Sequence, residues 1–217
     1  MRRLNVLLMV FCLLFTFCAN ADLIFKTKSG ETVRLVIQDP NKELAFAKEA
    51  RELCGDSFVK TYAKYNVKAE TLGFENASEM DQFYRSKGFD EDLEFFKAGK
   101  SKWVHAIAHK KSDLSDSGEL IGWATFWPDG NAADTVYVNT LVVSPDYQKQ
   151  GVGKKLLFSV REDKDLLPET KHLFLDVRRN NKNAVEFYKK NEFSETKYSY
   201  GDHKPNKHLL TLKWSVE

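Results

Sequence analysis

Two rhythms of apolar positions alternate along this chain. Residues 23–25 and 32–37 are β-rich runs on either side of Lys28-Ser29-Gly30-Glu31, which predicts a hairpin. Asp39-Pro40-Asn41 stops the second strand and is suited to starting a helix. From Asn41 to Tyr65 the residues Leu44, Ala47, Ala50, Cys54, Phe58, Tyr62 and Tyr65 recur every three or four positions, the spacing of one helix face. Gly55-Asp56 is a candidate kink in it. Two shorter helices are predicted at 78–87 and 90–98, separated by Gly88, with Ser78 and Asp81 as a capping pair.

The rhythm then turns to strands. Runs at 103–108, 120–127 and 135–143 are joined by polar turns at 110–118 and 128–133, which suits an antiparallel meander. A helix follows over 153–163, with Leu156, Leu157 and Val160 on one face. After it come a strand at 172–177, a helix at 183–190, and closing strands at 197–200 and 208–214. Neither repeat nor linker divides residues 22–217, so they are read as one mixed α/β domain around a partly antiparallel central sheet.

The first 21 residues read differently. Met1-Arg2-Arg3 is basic, residues 6–18 are apolar apart from Thr16, and Ala19-Asn20-Ala21 ends in small residues. This is the order of a secretory signal peptide cleaved after Ala21. The apolar run is short against the roughly 20 residues of a spanning helix. The expectation is an exported body, periplasmic or secreted, with no stable membrane insertion after cleavage. Cys12 and Cys18 leave with the leader, and Cys54 alone has no partner for an intramolecular disulfide. The chain has 33 basic and 31 acidic residues; without Arg2 and Arg3 the body is balanced. Such a balance gives no reason to expect a nucleic-acid partner.

Candidate chemistry concentrates in residues 138–157. There a β-run ends at Ser144-Pro145, and Gly151 and Gly153 open a helix. A loop of this kind bares backbone N–H groups at a helix N-terminus, where an anion is favoured. Lys149, Lys154 and Lys155 add positive charge, and glycines let a pyrophosphate approach the backbone. The P-loop spacing fails, because Gln148 and Lys155 stand where it needs Gly and Ser or Thr. The dinucleotide fingerprint fails at Leu156.

What remains is Q-x-x-G-x-G, written by Gln148, Gly151 and Gly153. About forty residues on, Asn183-Ala184, Tyr188 and Phe193 write N-A-x-x-x-Y-x-x-x-x-F, with Asn191-Glu192-Phe193 where Gly-Phe is common. With these two motifs in this order of elements, the chain from Thr32 to Trp214 resembles the GNAT N-acetyltransferases. The resemblance implies the GNAT fold, a single mixed and mostly antiparallel central sheet flanked by helices. It also implies acetyl-CoA as cosubstrate, with no metal, and transfer of the acetyl group to a primary amine by direct attack. Cofactor contacts would come from Leu141, Val142, Val143, Gln148, Lys149, Gln150, Gly151, Val152, Gly153, Lys154 and Asn183. The Leu141 and Val143 amides would polarise the thioester carbonyl, and Tyr188 would give a proton to the departing sulfur.

Members of the family often carry a glutamate at places corresponding to Tyr137, Asn139 or Thr140, and none of these is acidic here. The base is left open among Asp134, His105 and solvent. His203 and His208, in a polar turn, read as surface residues. The long region 41–100 would flank the acceptor groove, the acceptor being an amine on a protein or a small molecule. The expected assembly is a monomer or homodimer. The alternative is an exported GNAT-like module that binds an acyl-CoA or a partner without turnover. Intact-mass measurement of the secreted protein checks the leader: a chain beginning at Asp22 is expected, and one retaining residues 1–21 refutes cleavage.

Overall fold

The computed structural model describes residues 23–42, 46–64, 66–72, 74–111, 114–162, 166–167, 169–197 and 208–216. The leader expected at 1–21, His203, and most of the strand expected at 197–200 lie outside them. The N-terminal hairpin is β1 (Leu23–Lys26) and β2 (Thr32–Ile37). Three helices follow, α1 (Ala47–Lys64), α2 (Ala77–Arg85) and α3 (Lys87–Lys97). The meander is β3 (Lys102–His109), β4 (Glu119–Asp129) and β5 (Ala132–Val143). Then come α4 (Val152–Glu162), β6 (His172–Arg178), α5 (Lys182–Lys190), β7 (Ser194–Glu195) and β8 (Leu209–Ser215). The strands form one sheet in the order β1-β2-β3-β4-β5-β6-β8-β7, with β5–β6 its parallel pair and the other neighbours antiparallel. The fold is thus the single mixed, mostly antiparallel sheet flanked by helices that the sequence implied.

Local chemistry explains where the helices differ from expectation. The cap of α2 is Asn76, whose side chain accepts the Glu79 amide at 2.9 Å, while the Glu79 carboxylate accepts the Glu75 amide. Asn with Glu three residues on is the stronger capping pair and outcompetes Ser78 with Asp81. The break between α2 and α3 falls at Ser86, whose φ is −131° and ψ −87°, and Gly88 lies inside α3. A Cβ on Gly88 would come within 2.9 Å of the Phe83 ring, so the glycine makes room for that ring rather than ending a helix. The strand pairing with β8 is Ser194–Glu195, earlier than the expected 197–200.

The sheet buries both faces. Against one, α4 lays Val152, Leu156, Leu157 and Val160 beside Val136, Val138, Leu173, Leu175 and Leu212, with Val185, Phe187 and Tyr188 of α5 partly buried against the same cluster. On the other, Ala50 and Cys54 of α1 and Phe89 and Phe96 of α3 cover Trp103, Trp123 and Val142. Cys54 is 5% exposed, and burial pushes its thiol up to about 12, so it packs as a small hydrophobe.

Two features of β5 position everything that follows. Thr125 pairs with Thr140 and Phe126 with Val138, which leaves Asn139 as the extra residue of a β-bulge. Pairing with β6 covers only Thr135, Val136 and Tyr137, after which the two parallel strands part. Gly122 of β4 lies opposite Val143, at the end of the β5 segment that runs on beyond this parting. A Cβ there would meet the Val142 carbonyl oxygen at 2.7 Å and Leu156 Cδ1 at 3.1 Å. Overpacking of this kind costs about 1–3 kcal/mol. Gly122→Ala is therefore expected to lower the melting temperature by roughly 2–12 °C; an unchanged melting curve would show that β4 and β5 have slack at this position.

Candidate functional site

The gap between β5 and β6 carries unpaired backbone. Ser144 donates its amide to the Ile121 carbonyl at 2.7 Å, and antiparallel pairing alternates from that bond. Val142 and Thr140 therefore bond towards β4, while Leu141 and Val143 turn their N–H and C=O groups into the gap. The Val143 carbonyl accepts the Gln148 side-chain amide at 3.3 Å, which agrees with this assignment. Val142 itself is buried among the tryptophans, so of the three candidates on this strand two face the gap.

Beyond β5 the chain turns into α4. Lys149 has φ +62° and Gly151 φ +96°, and no atom lies within 4 Å of the position a Gly151 Cβ would take. Gly151 is the glycine this loop requires. Gly153 differs: a Cβ on it would touch Phe187 at 3.4 Å and Val143 at 3.6 Å, ordinary packing contact. Its side faces α5 and β5 rather than open space, which corrects the expectation that both glycines clear a path for a ligand. The Gly151 carbonyl accepts the Lys155 amide at 3.1 Å. The amides of Val152, Gly153 and Lys154 precede that bond and have no intrahelical acceptor.

Those amides open beside a cavity of about 550 Å³ lined by Phe25, Lys26, Gln150, Gly151, Lys154, Lys155, Phe158, Arg161 and Glu162. Four cations stand there against one carboxylate, and Lys155 pairs with that carboxylate at 3.4 Å. Arg161 lies 4.6 Å from the Trp214 ring centre. The hairpin turn is latched to the loop: Ser29 donates to the Gln150 side chain at 2.5 Å, Gln150 donates to the Asp146 carbonyl at 2.8 Å, and Tyr147 donates to Glu31 at 3.3 Å. Gln150 thus fastens the loop to β1–β2. Helix amides with a surplus of cations suit a phosphate-bearing group. Phe25, Lys26, Phe158 and Arg161 were missed in sequence because the hairpin and the far end of α4 meet the loop only in the fold.

Tyr188 packs on the α4–α5 face, its ring 5.2 Å from Phe187 and 5.6 Å from Phe193, and is near enough to Tyr137, the last paired residue of β5, to act on its charge. Burial raises its pKa, which keeps the phenol protonated at neutral pH. Asn183 is exposed on the first turn of α5, whose cap is Asn181, accepting the Ala184 amide at 3.3 Å. Tyr137 donates to Asp176 Oδ2 across the gap at 3.2 Å, and Thr211 donates to Oδ1 at 2.6 Å.

On the opposite face the structure supplies an acid the sequence did not. Asp92 of α3 accepts from Asn139 Nδ2 at 2.8 and 3.1 Å and from Thr140 Oγ1 at 3.4 Å. The bulge turns both side chains towards one face, and Asp92 meets them together. Burial pushes its carboxyl up to about 7; the Thr140 hydrogen bond opposes this, and the Glu91 charge adds to it. Asp92 is three residues after Phe89 and four before Phe96, both fully buried, so it shares their helix stripe. That spacing was the signal available in sequence. The two earlier side-chain candidates are less well placed. His105 is 0% exposed, and burial lowers its pKa to about 4. Asp134 is seven residues upstream of Leu141, about 23 Å along a strand, and its carboxylate lies 3.9 Å from Lys171.

Comparison with known proteins agrees with this fold. No curated protein sequence matches significantly. The PaiA N-acetyltransferase of Thermoplasma acidophilum, solved with coenzyme A, superposes with a TM-score of 0.60 at 17% identity, covering 84% of this chain and 99% of that one. Acetyltransferases of Streptococcus agalactiae (TM-score 0.55, 12% identity, 84% and 98% covered) and Staphylococcus aureus (0.53, 17%, 84% and 99%) share the fold. The pattern of the acetyltransferase (GNAT) family matches residues 65–193. With that match over more than half its length, the chain belongs to the GNAT acetyltransferase family.

Proposed function

We propose that this protein transfers an acetyl group from acetyl-CoA to a primary amine by direct attack, and that its body, 22–217, works after export. The observation that carries the reading is the gap itself. A carboxylate titrating near neutrality borders it on one face of the sheet, a protonated phenol on the other, and the Leu141 and Val143 backbone lies between them.

In this reading the amides of Val152, Gly153 and Lys154, together with Lys26, Lys149 and Arg161, hold the phosphates of the cosubstrate, and Gln148, Gln150 and Gly151 shape the loop. Leu141 and Val143 bond the pantetheine arm as an added strand would, and Asn183 stands within reach of that arm at the start of α5. Bound there, acetyl-CoA supplies an acyl carbon activated as a thioester. Asp92 removes the proton from the acceptor ammonium, directly or through one water; an ordinary amine has a pKa near 10, so this step is needed at neutral pH. The amine nitrogen then bonds to the acyl carbon as the C–S bond breaks, and the bonding pair goes to sulfur. The inward amides of Leu141 and Val143 stabilise charge gathering on the acyl oxygen. Tyr188 gives its proton to the departing thiolate, and the second proton, lost by the nitrogen as the amide forms, passes through water to the Tyr188 phenolate and restores the phenol. In this reading Asp92 of α3 does the work of the glutamate that β5 lacks.

Two substitutions test the assignment. Asp92→Asn is expected to lower kcat/KM by about 10²–10⁴ and to abolish the rise of activity through pH 7. Stability moves the other way. The carboxyl titrates at an ordinary 3.8 when unfolded and near 7 when folded. Between those values the fold holds a proton that the unfolded chain has lost, so wild-type stability falls as pH rises from about 4 to about 7. Asp92→Asn should therefore melt above wild type at pH 8 and converge with it below pH 4. A variant with wild-type turnover would remove Asp92 from the mechanism.

Tyr188→Phe keeps the ring packing and removes the proton donor. It should bind acetyl-CoA nearly normally, yet lose roughly tenfold or more in turnover at pH 7. The deficit should shrink above the thiol pKa of about 8.5. Equal rates at pH 7, with chemistry rate-limiting, would leave Tyr188 as a packing residue.

A further inference from the structure

A second cavity, of about 160 Å³, lies beyond the end of β6 and is lined by Val67, Thr71, Arg178, Arg179, Asn180 and His208. Three elements build it: the turn and short helix after α1, the end of β6 with the turn that follows, and the residue preceding β8. It adjoins the gap. Arg178 is two residues beyond Asp176 and points to the same face, about 7 Å along the strand, and Asp176 is the residue that Tyr137 of β5 reaches across the gap.

Among the described residues the charge of this cavity is unbalanced. Arg178 is half-buried, and no carboxylate among the described residues pairs with it. Its guanidinium lies 5.6 Å from the centre of the Tyr62 ring, a support that fixes its direction without neutralising it. Both oxygens of the nearest acid on the strand, Asp176, are taken by Tyr137 and Thr211. Arg179 adds a second guanidinium, whose Nη2 is 3.5 Å from the exposed Glu195. The Thr71 hydroxyl and the Asn180 amide complete a polar rim. Planar guanidinium groups with N–H donors around a small cavity match a carboxylate or phosphate, and they repel a second ammonium.

We infer that the cavity of Arg178 and Arg179 is the acceptor-specificity pocket, and that the acceptor is an amine carrying an oxyanion, a carboxylate or a phosphate, elsewhere in the same molecule. The inference rests on the transferase reading above and adds the acceptor's class to it. Asp92 serves the amine from the β5 side of the gap, and the arginines hold the oxyanion beyond its β6 side. Free polyamines are excluded on charge.

The test compares acetyl-CoA turnover, read as thiol release, on matched acceptors: 4-aminobutyrate, 3-aminopropyl phosphate, n-butylamine and 1,4-diaminobutane. A charge-assisted hydrogen bond is worth about tenfold to a hundredfold. An acid-bearing amine is therefore expected to exceed n-butylamine in kcat/KM by at least that tenfold, and the carboxylate and phosphate arms tell which oxyanion is favoured. Arg178→Met should collapse the ratio towards one, and Arg178→Lys should restore part of it. Thr71→Asp, at an exposed position whose hydroxyl donates to the Lys68 carbonyl at 2.7 Å, should turn the preference towards the diamine in a variant whose melting curve shows it folded. A wild-type preference for 1,4-diaminobutane, or a ratio that Arg178→Met and Thr71→Asp leave intact, overturns the pocket. If no amine is acetylated, calorimetric titration of the CoA-loaded protein with 4-aminobutyrate and with inorganic phosphate separates the two claims. Binding that Arg178→Met weakens tenfold keeps the pocket and removes the transferase reading; absent or unchanged binding removes the pocket.

Discussion

The parting of β5 from β6 is the constraint on which the rest of this molecule depends. Two parallel strands paired along their full length would satisfy each other's backbone and leave nothing for a ligand. Here pairing ends at Tyr137, one residue before the bulge region of β5. A bulge adds a residue on one strand alone and increases local twist. β5 turns away while remaining bonded to β4, and inward-facing amides are left without a strand partner. On one face of the sheet Asp92 of α3 meets the bulge, and on the other Tyr188 of α5 packs against the core; the proposed mechanism gives each a proton to carry.

The same bulge sets the electrostatics. Consecutive side chains of a regular strand point to opposite faces, so Asn139 and Thr140 could not both meet one carboxylate without it. Together they hold Asp92 in place, yet they supply too little to offset its burial, and its pKa rises to about 7. A carboxylate stabilised more strongly would be a weaker base, and one left in open water would titrate in the ordinary acidic range. The position suits proton transfer and is held at the expense of stability in neutral solution.

Two hollows lined by cations flank this part of the fold. At the α4 end, cations from β1, the loop and α4 gather where helix amides are uncapped. The hairpin is tied to that corner through Ser29, Gln150, Glu31 and Tyr147, so β1–β2 is part of the site wall as well as a sheet edge. At the β6 end the charge is carried by two adjacent arginines. A chain whose formal charge is only +2 can thus present two cationic hollows, because the compensating acids are spent in local pairs such as those of Arg85 with Glu52, Asp56 and Asp81.

The sequence alone determined the order of elements, the glycine loop opening α4, the tyrosine of α5 and the family. These rest on local signals: apolar period, turn residues, and spacing within a few dozen residues. Its errors were also local, a cap placed two residues late and a glycine taken for a break that the Phe83 ring explains. The buried carboxylate of Asp92, the bulge, the cationic cavity and the packing of Gly153 belong to the tertiary structure. Asp92 and Thr140 are 48 positions apart, and Ser29 and Gln150 are 121 apart. A helix acid beside another acid reads as solvent-facing until the sheet beneath it is in place. The amides of Leu141 and Val143 carry no mark in sequence, since only the departure of a neighbouring strand makes a backbone group available.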